Sequence, residues 1–283
     1  MKKLALTSLM AVFAVSGAMA ANVIDGNPLY MPGQNHFYSV TTMGTHTKAD
    51  DTPWGLGEEF GYGILNNLAV NVTTSLSENK AFDEYAWDDF GAKLTFRALD
   101  MNGWKLDVYG EYALNGLYTH PKPAGQDAWF DKDETEYAWT AGVRGGFVGS
   151  NWTVAAHTEF MYLNTESFNW NEGAGKQGVH VFVFGLDGQY VLNDSFSLLA
   201  GVEYTGIMDK EWLGIDGAKV ENEGEWFGEL GVNYNIDATK YVGLYINGTM
   251  NHWKGDDSSM PGAKKGWGFE DGFGYGVRFG IDF

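Results

Sequence analysis

From residue 273 to the end of the chain, large apolar residues alternate with small or charged ones. Phe273, Tyr275, Val277, Phe279, Ile281 and Phe283 occupy one parity, and Gly272, Gly274, Gly276, Arg278, Gly280 and Asp282 the other. Strict period-two alternation predicts a β-strand with one apolar and one polar face. Soluble strands run to ~5–6 residues, whereas this one has the ~9–11 residue span of a strand tilted across a bilayer. The same pattern recurs at Phe90–Phe96, Leu106–Leu114, Trp152–Tyr162, Phe182–Tyr190, Phe196–Tyr204 and Leu230–Tyr234.

The links between these runs also alternate. Tight, Asn/Asp/Gly-bearing links fall at Asn66-Asn67, 100–103, 149–151, Asn193-Asp194 and 237–239, with the residues of hairpin turns. Long polar links fall at 44–55, 78–88, 116–136, 164–178, 208–223 and 253–268. Short and long links in turn predict an all-β, up-and-down antiparallel transmembrane barrel with short turns on one side and long loops on the other. The expected count is about twelve strands, or ten if the first, near 37–43, does not form. An even count puts both termini on the short-turn, periplasmic side.

At the N-terminus, Lys2 and Lys3 precede an apolar stretch from Leu4 to Val15 and a small-x-small site at Ala18-Met19-Ala20. This reads as a cleaved export signal over 1–20. Residues 21–34, with Pro28, Pro32 and Gly33, read as a periplasmic lead-in or partial plug, and 35–283 as the barrel. Nothing after the signal has the ~20-residue apolar run of a membrane helix. A membrane location therefore requires a closed barrel, which satisfies its backbone internally.

Composition narrows the function. The chain has 18 Lys plus Arg against 37 Asp plus Glu, a net charge of −19, and no Cys. The acidity excludes nucleic-acid partners, whose phosphates need a basic footprint. The absence of Cys excludes thiol catalysis, disulfides and Cys-ligated clusters. Gly, at 39 residues, and an aromatic share of 16% fit strands and turns rather than helices. Trp104 and Trp152 follow short turns, while Trp139 and Trp226 begin strands at the long-loop side, the placement of interfacial belts.

Export signal, alternating strands, aromatic strand ends and a terminal Phe283 resemble the outer-membrane β-barrels of Gram-negative bacteria, porin-like proteins included. The resemblance implies a last-strand assembly signal read by the barrel-assembly machinery. Tyr275, Phe279, Ile281 and Phe283 match its apolar positions, while Arg278 stands where glycine is usual. It also implies outer-membrane lipid and lipopolysaccharide as surroundings. Twelve-strand proteins of that kind include nucleoside channels, acidic-oligosaccharide channels, a phospholipase and autotransporter translocators.

Motifs for other chemistry are weak. Gly173–Gly178 fits GxGxxG but lies in a loop before a strand, not between a strand and a helix. The acidic run 131–136 lacks the spacing of an EF-hand loop and reads as solvated, or as a weak divalent-cation contact. No metal centre, cofactor or catalytic residue is expected. His157 and Glu159 share a strand face and read as members of a mixed lumen network rather than a proton-transfer pair.

Alternation points Glu59, Asp107, Glu111, Glu159, Asp187, Glu203, Glu229 and Asp282 inward, with Lys93, Arg97, Lys105, Arg144, His157 and Arg278. This acid-rich lining predicts a channel for passive diffusion of small hydrophilic solutes, neutral or cationic ones preferred, and not an enzyme. A closed barrel presenting acidic loops for adhesion is the alternative reading, and a barrel hydrolase the third.

Overall fold

A computed structural model describes residues 27–47, 54–79, 84–115, 136–165, 177–208, 222–253 and 266–283. The export signal, the GxGxxG segment up to Lys176 and all but the last residue of the acidic run 131–136 lie outside the described residues. Twelve strands follow one another: β1 (Phe37–His46), β2 (Trp54–Leu65), β3 (Leu68–Asn79), β4 (Glu84–Met101), β5 (Trp104–Asn115), β6 (Glu136–Val148), β7 (Trp152–Thr165), β8 (Gln177–Asn193), β9 (Phe196–Ile207), β10 (Asn222–Asp237), β11 (Lys240–Trp253) and β12 (Gly266–Asp282). Each pairs antiparallel with its sequence neighbours, and β1 pairs with β12 to close the barrel. Among the described residues the strand count is twelve, and the first strand is a full member of the closed barrel.

Strands reach further into the long links than alternation suggested. The link expected over 78–88 shrinks to 80–83, because β3 runs to Asn79 and β4 begins at Glu84. Ladder hydrogen bonds continue past the point where side-chain alternation stops being apolar, so the pattern marks only the middle of each strand.

The tight links carry the expected turn chemistry. Asn102 and Gly103 both have positive φ, 52° and 84°. A two-residue hairpin of this hand demands that at both central positions, which Asn-Gly tolerates best. Asn193 Oδ1 accepts from the backbone N–H of Ser195 (2.9 Å) and Phe196 (3.1 Å). Asp237 Oδ1 accepts from the Thr239 N–H and hydroxyl, both at 2.8 Å. These Asx turns hold the chain at its reversals.

Two faces result. The outer face carries Phe90, Leu94, Phe96, Val154, Phe182, Phe184, Leu198, Leu230, Leu244 and Val277, all exposed. A soluble protein does not leave such a continuous apolar belt bare. Its rims are aromatic, with Trp104, Trp139, Trp152 and Trp226 all exposed on it. The inner face carries the buried polar set.

Residues 27–34 do not trail away from the barrel. Pro28 and Leu29 are buried inside it. Arg97 on β4 donates to the Leu29 carbonyl at 2.6 Å, and the Tyr30 hydroxyl donates to Asp282 on β12 at 3.1 Å. The chain then turns out at the short-turn end, where the Asn35 N–H donates to Gly63 O (2.8 Å), and enters β1.

Candidate functional site

Period-two geometry sends every second side chain of all twelve strands into the barrel, and there the charges meet. Near the short-turn end, Asp107 is fully buried between two guanidinium groups. Arg97 Nε and Nη2 donate to it at 2.8 and 3.1 Å, and Arg144 Nη2 at 2.8 Å. Arg278 donates to Glu229 through both terminal nitrogens, at 2.7 and 2.6 Å, and lies 4.3 Å from the Tyr245 ring centroid. Lys93 sits 3.9 Å from Glu111 and 4.1 Å from the Tyr109 ring centroid. Lys105 joins the first cluster at its edge: its Nζ contacts Asp100 at 2.7 Å, at the β4–β5 turn, and the same carboxylate oxygen lies 3.7 Å from Arg97. Asp282 holds the lead-in through Tyr30, whose phenol is pushed up by burial and by that carboxylate.

The remaining predicted residues form a repeating device. His157 on β7 faces Gly185 on β8, which faces Glu203 on β9. With no side chain on Gly185, the imidazole lies across the middle strand. Its Nδ1 is 3.1 Å from Asp187 and its Nε2 3.1 Å from Glu203. Tyr109, Gly142 and Glu159 repeat the arrangement on β5, β6 and β7, the phenol donating to Glu159 at 2.6 Å. Tyr38, Gly61 and Asn71 repeat it on β1, β2 and β3, with the Asn71 amide donating to the Tyr38 hydroxyl and that hydroxyl donating to Glu59 at 2.5 Å. In each row a β-carbon on the middle glycine would collide with the overlying ring.

Tyr38, Tyr109, Asn71 and Tyr245 were missed by charge counting, although their parity matches that of the charged set. A tyrosine reads as rim or core until the register shows a glycine beside it. Pro28 and Leu29 carry no pattern that would place them inside. Between Pro28 and β8–β10 lies a small cavity of about 20 Å³, room for roughly one water molecule, lined in part by Asp187, Glu203, Phe227 and Glu229.

Glu58 falls on the other face. Two consecutive strand residues cannot both point inward, so the pair Glu58-Glu59 carried the signal that one faces out. Glu58 accepts from the hydroxyls of Ser39 (2.5 Å) and Thr41 (2.6 Å) on the outer wall.

Chemically, the interior offers paired ions and hydrogen-bonded acids. Both ring nitrogens of His157 are taken by carboxylates, so the imidazole has no lone pair directed at a hydroxyl nucleophile.

Among solved structures, the chain is similar to an outer membrane channel from Pseudomonas putida F1, with a TM-score of 0.54 and 12% identity, covering 90% of this chain and 97% of that one. The NanC porin matches with a TM-score of 0.53 and 8% identity, over 87% and 98%. The translocator domain of the autotransporter NalP from Neisseria meningitidis matches with 0.52 and 12%, over 100% and 97%. No protein-family model matches the chain, and no curated protein matches it. At these identities the likeness establishes the fold, that of an outer-membrane β-barrel.

Proposed function

We propose that this protein is an outer-membrane channel for passive diffusion of small hydrophilic solutes, with neutral or cationic solutes preferred. The observation that carries the reading is the inversion of a soluble fold: the described outer wall is apolar almost throughout, and the inner wall is built of hydrogen-bonded charge. A polar interior is favourable where water or an ion pair meets it and costly elsewhere. Carboxylates predominate inside, so the interior field favours cations over anions. Two of the three similar structures are a channel and a porin, which supports the same reading. Lipid and lipopolysaccharide would surround the barrel, and the assembly machinery would insert it through the last strand.

In this reading residues 27–34 are the constriction. They cross the interior from β4 to β12, so a solute passes only beside or after displacing them. The same segment favours a second reading, a barrel closed by its lead-in that serves as a scaffold for its acidic loops. Single-channel recording separates the two. The purified barrel should give discrete steps in a planar bilayer, and deleting residues 21–34 should raise their size. A bilayer silent with the native protein that gives steps only after the deletion would support the barrel closed by its lead-in.

A further inference from the structure

The rows through Gly61, Gly142 and Gly185 each lay a ring of this chain over a buried glycine. One row on the same inner wall has the glycine without the ring. Thr42 on β1, Gly57 on β2 and Ser75 on β3 stand in register, with Arg278 on β12 beyond Thr42. Gly57 is partly exposed, as are Gly44, Gly55, Thr73 and Ser75 around it, whereas most inward residues are buried.

Nothing among the described residues accounts for a glycine at 57. Its φ is not in the left-handed region, β2 pairs regularly with both neighbours through it, and no described atom crowds the place of a β-carbon. A bare glycine inside a strand weakens it and often marks a place where a ligand comes close. The groups beside it are short of partners. Thr42 Oγ1, Ser75 Oγ and, two residues along β2, Glu59 Oε2 are buried and make no hydrogen bond among the described residues, nor does Arg278 Nε. Thr42 is 6% exposed and Glu59 0%, so an unmade hydrogen bond there is costly. At Ser75–Leu76 β3 bulges against β4, a feature that re-aims side chains beside functional sites. The Tyr245 phenol reaches across Gly276, and its hydroxyl stands over Gly44, one inward position from Thr42.

We propose that this open row binds a neutral, polyhydroxylated ring of monosaccharide or cyclitol kind, lying across β2 over Gly57 as the closed rows hold their own rings. The groups select the class. Hydroxyls that both donate and accept, one carboxylate oxygen and one guanidinium N–H are matched by a ligand whose polar groups are all hydroxyls. An apolar ring would leave them unpaired, and an anion would face Glu59. The span fits as well. Thr42 and Ser75 are two strand spacings apart, ~9.6 Å, and two O–H···O bonds take ~2.8 Å each, which leaves ~4 Å. Neighbouring hydroxyls of one ring fall short of that distance, and non-adjacent ones meet it. Rotation about χ1 turns either hydroxyl toward the arriving partner. The site rests on the channel reading for its access to solutes, and gives that reading a solute class.

Glucose and inositol serve as probes, titrated into the purified barrel and followed by calorimetry and saturation-transfer NMR, neither of which needs conduction. Both should bind. Glucuronate, a similar ring with a carboxylate, should bind about tenfold more weakly. Gly57→Val fills the open place and should weaken glucose binding about tenfold, while heat-modifiable gel mobility is kept. If that variant fails to fold, Thr42→Val with Ser75→Ala should give the same loss, and Ser75→Thr, which keeps the hydroxyl, should bind as the native protein does. No binding of either probe to the folded native protein, undiminished binding in the folded variants, or glucuronate bound as tightly as glucose overturns the proposal. Single-channel steps are read separately: binding without steps leaves the site standing and removes the channel reading, and steps without binding do the reverse.

Discussion

Arg278 shows how a charge is tolerated inside this barrel. It is 4% exposed, and its partner Glu229 is 8% exposed. Removing one member of a buried, bidentate pair leaves the other uncompensated, which costs about 3–5 kcal/mol, whereas replacing both can be nearly neutral. Arg278→Met alone should therefore destabilise the folded barrel strongly, and Arg278→Met with Glu229→Gln should recover most of the loss. Urea unfolding of the barrel in lipid vesicles measures both, and equal loss in single and double variants would mean that the pair is not the relevant unit. Part of this was legible beforehand: parity placed both residues on one face. Their pairing was not, because β10 and β12 are separated by β11, and only three-dimensional register brings residues 229 and 278 together.

At the scale of the element, the last strand does two jobs. Its outer residues Tyr275, Phe279, Ile281 and Phe283 belong to the apolar belt, and its far edge closes on β1. Phe283 and Phe37 exchange backbone hydrogen bonds at 2.8 and 2.9 Å, and their rings stack at 6.3 Å. Deleting Phe283 removes the final pair of that closure along with the terminal aromatic expected to be read during insertion. The deletion should leave the protein in the periplasm, where it is degraded or aggregates. Surface level and heat-modifiable mobility check this, and unchanged values for both would remove the claim. Strands with a sustained period of two were legible from the sequence because lipid on one side and polar contacts on the other impose opposite demands on alternate residues. Residues 27–34 were legible only as part of a lead-in or partial plug, without their place, because a segment held by Arg97 and Asp282 obeys contacts, not a period.

For the whole molecule, the interior charge sets a testable field. Inward acids outnumber inward bases, and a fixed negative charge in a narrow polar passage attracts cations. The reversal potential in a salt gradient should show cation preference. That preference should shrink as salt rises, since the screening length falls from ~10 Å at 0.1 M to ~3 Å at 1 M. Neutralising Glu111 and Glu159 together should reduce it more than neutralising Asp133 and Glu134, of the long polar link that the sequence predicts over 116–136. Anion preference in the native protein would contradict the argument. The outward Glu58 does not line the interior, although a count of acidic residues along β2 would include it.

The rows His157–Gly185–Glu203, Tyr109–Gly142–Glu159 and Tyr38–Gly61–Asn71 have a consequence for fidelity. A wall that alternates apolar and polar is spoiled when a strand slips by one residue, because every side chain changes face. A slip of two restores the alternation, and the hydrophobic pattern alone cannot tell it from the native alignment. The rows across β6 and β8 remove that ambiguity, since the inward positions two residues from Gly142 and Gly185 carry side chains. Sliding β6 or β8 by two positions moves the glycine from beneath the ring and the acceptor out of reach. The side chain then collides with a neighbour or is buried without a partner. The glycines thus act as alignment keys, each fitting one tooth of the adjoining strand, and they reject the one class of error that greasiness leaves undetected.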